Sequence, residues 1–167
     1  MKQLAYLALT VAVLLCWTGQ FLSVSAQGPA PDSHSALEVS SADDTKWGPA
    51  PSVLPAGAQI AVLEGDPIAP DGDYTIRLKM PAGYRVPPHW HPLRENVTVI
   101  SGIFKVGMGD TFQLNHMKTL TAGRFAYLDP DMHHYAMAVG EVVVQVHGKS
   151  PLQFNYVNPQ DDPSKTK

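Results

Sequence analysis

Residues 83–102 read GYRVPPHWHPLRENVTVISG, and the spacing within this stretch decides the fold. Gly83 is followed after five residues by His89-Trp90-His91, after three more by Glu95, and after six more by Gly102. In extended backbone alternate side chains share a face, so His89 and His91 project together while Trp90 projects the other way. Two imidazoles on one face make half of a metal site. Pro87 and Pro88 stiffen the approach, and Pro92 ends regular pairing so that the chain can swing Glu95 back toward the same centre. Ser101-Gly102 separates two strand-like runs, where a tight turn requires positive φ.

To either side the chain is a series of short runs rich in Val, Ile, Tyr and Phe, divided by Gly, Pro, Asp and Asn. Strands are predicted over 59–64, 74–80, 96–100, 103–108, 125–128, 133–138, 141–147 and 154–157. Gly and Pro recur too often between Asp66 and Pro159 for a long amphipathic helix to persist. The class is therefore all-β, and the number of runs suits a double-sheet barrel or jelly roll. Asp110 to Thr121 reads as an irregular loop over a barrel mouth.

The remaining ligand of a site begun by His89, His91 and Glu95 should come from a distant strand, because a barrel sets such strands side by side. Gly123 to His134 reads GRFAYLDPDMHH. Here the chain resembles the cupin superfamily: residues 83–102 match its first motif, and this second segment is similar to its second, Gly, five residues, Pro-x-Gly, two residues, His, three residues, Asn. Laid from Gly123, the family's His falls on His134, its Pro and Gly on Asp129 and Asp131, and its Asn on Ala138; Pro130 sits one place late. His133 is the rival to His134. Neighbours on a strand face opposite ways, so one of the two coordinates.

The resemblance covers residues 56–157. LEGDP at 63–67, the strand at 74–80 and the His133-His134 pair look like small single-domain bacterial cupins, some similar to the metal-binding cupin of zinc-dependent anti-sigma factors. It implies a double-stranded β-helix holding one divalent metal (zinc, manganese, iron(II), nickel or copper) on His89, His91, Glu95 and His134. The reaction classes it admits are dioxygenase, lyase and isomerase; the alternative is a non-enzymatic module that binds or senses a metal or small ligand. Gln145 and His147 share a strand face opposite Val142, Val144 and Val146, and either line a pocket or form an outward polar face. Arg77 and Tyr84 are further candidates to meet a small-molecule substrate bearing carbonyl or carboxylate groups.

Met1 to Ala26 reads as a signal peptide, with Lys2, an apolar run from Leu4 to Trp17 and small residues at Val24-Ser25-Ala26 before the cleavage point. The apolar run is shorter than the roughly 20 residues of a spanning helix. The expectation is export to the periplasm or beyond, without stable membrane insertion after cleavage. Cys16, the single cysteine, leaves with this segment, so the mature chain has neither disulfide nor thiolate ligand. Residues 27–55 read as a flexible Pro/Ser-rich leader and 158–167 as a disordered tail. A formal net charge of −3, with 16% charged residues, gives no footprint for nucleic acid. Homodimerisation is expected from the frequency of such pairs among soluble oligomers.

Overall fold

The computed structural model describes residues 45–165. The segment read as a signal peptide, most of the segment read as a leader, and the last two residues lie outside the described residues. Among these, the strands in chain order are β1 (Gly48–Pro49), β2 (Gln59–Gly65), β3 (Asp73–Met80), β4 (Arg85–Trp90), β5 (Glu95–Ser101) and β6 (Ile103–Met108), followed by β7 (Lys118–Thr121), β8 (Phe125–Leu128), β9 (His134–Ala138), β10 (Val142–Lys149) and β11 (Asn155–Tyr156). Two single turns of 3-10 helix, Leu114–His116 and Pro159–Asp161, are the helical elements.

The strands form two antiparallel sheets, ordered β1-β2-β3-β10-β5-β8 and β11-β4-β9-β6-β7. Period-two alternation explains how they pack. Tyr74, Ile76, Leu78 and Met80 of β3 and Val142, Val144 and Val146 of β10 are buried, with less buried residues between them. The second sheet contributes Val86, Phe104, Ala136 and Ala138 to the same core. At about 25 cal/mol per Å² of buried apolar surface, this face-to-face burial is the main favourable contribution to folding.

The predicted strands are all present to within two residues at each end. Three further strands were not predicted. β4 escapes because Pro87 and Pro88 cannot donate to a ladder, and the structure accommodates them in a bulge: Val86 pairs with Ala136 and His89 with His134, one residue more on β4 than on β9. The bulge reverses the parity of β4, so that Val86 and His89, three apart, are both buried. β7 lies within the stretch read as a loop and pairs with β6 from Ile103↔Thr121 to Val106↔Lys118. Gly102 has φ +80, and a Cβ there would stand 2.3 Å from the Glu141 carbonyl oxygen, so the turn admits glycine alone.

β1 and its following loop differ from the flexible leader expected over 27–55. β1 pairs with β2, Leu54 is buried in the core, and two tyrosine hydroxyls hold the loop. Tyr84 donates to the Pro55 carbonyl at 2.5 Å and Tyr156 to that of Val53 at 2.7 Å. This strap joins β2's edge to β11's and closes one seam between the sheets. Pro-rich composition looks disordered until a partner donates to its free carbonyls. Likewise, within the expected tail Asn158 caps Pro159–Asp161 and Asp162 is buried.

Candidate metal centre

His89 lies one residue before the end of β4 and faces inward, His91 follows the strand just before Pro92, Glu95 opens β5, and His134 opens β9. All four are buried, at 3%, 4%, 8% and 3% exposure. His89 and His134 are cross-strand partners, which brings together segments more than forty positions apart. One ring nitrogen from each of His89, His91 and His134 lies within 4.8 Å of the others. Glu95 Oε1 stands 3.7 Å from His91 Nε2, and Oε2 stands 3.5 Å from His134 Nε2.

The orientation of each imidazole is set at Nδ1. His89 Nδ1–H donates to the Pro87 carbonyl at 2.7 Å, that of His91 to Gln153 at 2.6 Å, and that of His134 to Met132 at 2.9 Å. In that tautomer every Nε2 carries a lone pair turned to the centre. His91 Nε2 is buried with no hydrogen-bond partner, a costly arrangement for a polar atom unless something electron-poor meets it. Three imidazoles and a carboxylate suit zinc and the borderline first-row divalent ions.

Electrostatics agree with that donor set. Burial, with His134 and His91 adding to it, pushes His89 well below its usual 6.5, and burial lowers His91 as well. Burial opposes ionisation of Glu95, but His91 and His134 outweigh it and hold the carboxyl at about 2. Burial thus keeps His89 and His91 neutral while Glu95 stays ionised, the protonation states in which they coordinate.

His89, Glu95 and His134 face a chamber of about 40 Å³, walled by Leu78, Met80, Val97, Phe104, Val144 and Val146. Tyr84 lines the chamber; Arg77, Gln145 and His147 do not. Because Val142, Val144 and Val146 face inward, Gln145 and His147 take the outer face of β10, where Gln145 accepts from Arg77 Nε at 3.3 Å. His133 also points away: its Nδ1 lies 2.6 Å from Asp110 Oδ1 and its ring stacks at 6.4 Å on Trp90. Phe154 was not anticipated as a site residue. It stacks on His89 at 5.0 Å and meets His91 edge-on at 4.6 Å. It was legible as the start of the last strand run, but no spacing tied it to the histidines.

The second motif keeps its geometry with different residues. Asp131, standing where cupins have Gly, has φ +62, the single positive φ of a non-glycine among the described residues. Asp tolerates this left-handed region better than most residues. Its N–H donates to the His91 carbonyl at 2.8 Å, and Asp129, in place of Pro, accepts from Arg94 Nε at 2.9 Å.

A family profile described as the ChrR Cupin-like domain matches residues 35–153. No curated protein matches the chain. Among solved structures, the polyketide cyclase RemF from Streptomyces resistomycificus is similar with a TM-score of 0.62 at 14% identity, over 77% of this chain and 90% of that one. A candidate acetylacetone dioxygenase from Methylibium petroleiphilum gives 0.57 at 19% identity, over 77% and 85%. An RmlC-like cupin from Shewanella frigidimarina gives 0.52 at 17% identity, over 68% and 91%. At these identities the likeness is one of fold.

Proposed function

Because the chain belongs to the ChrR Cupin-like family of the cupin superfamily, we propose that it is a mononuclear metal-dependent enzyme acting on a small molecule. His89, His91, Glu95 and His134 are its ligands. The observation that carries this reading is the trio of converging imidazoles, each fixed at Nδ1, with His91 Nε2 buried and unpartnered. When bound, a divalent metal supplies Lewis acidity and sites for oxygen donors of a substrate. The chain's own part is to hold Nε2 lone pairs convergent, keep Glu95 ionised and exclude bulk water with the aliphatic wall. Tyr84 has its hydroxyl committed to the Pro55 carbonyl, so it shapes the chamber rather than moving a proton. Dioxygenase, lyase and isomerase chemistry are all compatible with this arrangement; fold does not choose among them.

The test is metal analysis of protein purified from its native compartment, followed by turnover and dioxygen uptake over a broad panel of small carbonyl and carboxylate compounds. One equivalent of metal with turnover supports the reading; substoichiometric metal with every candidate ion overturns it. A second reading, a non-enzymatic metal-binding module, is favoured by the small size of the chamber. It requires tight zinc with no turnover and no metal-bound position exchangeable by small carboxylates. We also place the protein outside the cytosol on the strength of Met1–Ala26, so mature protein should begin at Gln27 by N-terminal sequencing. Homodimerisation is proposed with it, and a monomer mass by light scattering would reject it.

A further inference from the structure

A chamber of about 40 Å³ has room for about three or four ordered waters at roughly 10–15 Å³ each, and none for an organic substrate. Space for one lies immediately outside. The two sheets meet along two seams, and only one is closed by the strap. At the other, β7 and β8 follow one another in the chain but pair with different sheets, β7 with β6 and β8 with β5. No ladder joins them. Beyond their shared turn they part around a groove of about 250 Å³, near the lower end of the roughly 300–1,000 Å³ typical of small-molecule pockets.

Val106 and Leu128 line both the groove and the histidine chamber, so a single layer of side chains divides them. The ladders bring the groove close to the ligands as well: Leu128 pairs with Glu95 and Met108 with His134. Met108, Leu120 and Ala126 make the rest of its wall mostly apolar, His116 and Tyr127 bring polar groups to it, Lys118 is its one lysine or arginine, and no acidic side chain lies on it. A cation at the lip of an apolar groove complements a molecule with an apolar body and one anionic end.

We infer that this groove binds a small amphipathic monocarboxylate, its carboxylate on Lys118 and its body directed at Val106 and Leu128. That the bound molecule is the substrate rests on the metal-enzyme reading above; binding itself does not.

Hexanoate is the probe and hexanol its uncharged comparator, followed by amide chemical shifts of the full chain with and without zinc. Hexanoate should shift Leu120, Ala126 and Leu128 saturably in both forms. Lys118→Gln, at an exposed position, should weaken hexanoate about threefold, as for an exposed charge pair, and leave hexanol unchanged. Ala126→Leu, which fills the groove, should abolish both. Absence of saturable shifts, shifts confined to the strap around Leu54, or equal weakening of both probes by Lys118→Gln would overturn the proposal. So would the same amides moving with protein concentration alone, which would make a second copy the occupant. Loss of hexanoate binding with one zinc still bound refutes the groove and spares the metal reading; hexanoate bound by protein that takes up no metal does the reverse.

Discussion

The segments 83–102 and 123–138 contribute to the same centre in opposite ways. The first carries His89, His91 and Glu95 at a spacing that strand alternation alone interprets. The second delivers His134 through a segment in which Asp129, Asp131 and Ala138 replace the family's Pro, Gly and Asn. Yet the backbone is equally determined in both. Asp131 adopts the left-handed φ of the missing glycine, and its N–H bonds to the His91 carbonyl, so the first segment templates the second. A motif is a record of one way to satisfy a geometry, and here the geometry outlasts the record.

The comparison breaks most readily at the metal. His91→Ala and His134→Ala should each lower metal affinity by more than the roughly 10–100-fold seen for groups that only support ligands, while His133→Ala keeps it, as read by chelator competition. Metal retained by His134→Ala and lost by His133→Ala would reverse the register of the second segment.

Acid is the next perturbation. Above about pH 6.5 neither the folded nor the unfolded metal-free chain protonates His89 or His91. Below it the unfolded chain takes up protons that the buried site refuses. Stability of metal-free protein should therefore fall as pH drops from 7.5 to 5, with a further loss between about 4.5 and 2 as Glu95 is protonated. A thermal midpoint independent of pH between 7.5 and 5 would contradict the burial of neutral imidazoles. Smaller again is Asp131→Val, which places a β-branched residue at φ +62 and should cost about 1–2 kcal/mol in urea denaturation, whereas Asp131→Gly should cost nothing or stabilise. The smallest effect is expected at the exposed bridge between the segments. Arg94→Ala should change stability by no more than about 1 kcal/mol, because both partners of the Arg94–Asp129 pair are near half exposed.

Strand positions were legible wherever apolar residues alternate, since that alternation is itself the cause of burial. β4 was not, because its prolines deny the ladder and the structure answers with a bulge. β7 was not, because Lys118-Thr119-Leu120-Thr121 has one buried residue and is held by its pairing with β6. The trio His89, His91 and Glu95 was readable from one local segment, and His134 needed a register carried across a barrel. The outward position of Gln145 and His147 was one of two readings left open by parity, and the valines between them decide it only once the second sheet is in place. The strap was illegible for a different reason: its contacts come from Tyr84 and Tyr156, far away in sequence, and they recognise main-chain oxygen.

The same chemistry at the three histidines bears on how such a site tolerates heritable variation. Pro87, Gln153 and Met132 orient the imidazoles through carbonyls that every amino acid possesses. The side chains of Gln153 and Met132 are free to drift without disturbing the centre, so long as the local path of the chain persists, whereas Pro87 also shapes the bulge that turns His89 inward. A mutational scan would pass over Gln153 and Met132 as silent, and an insertion or deletion beside either of them would not be.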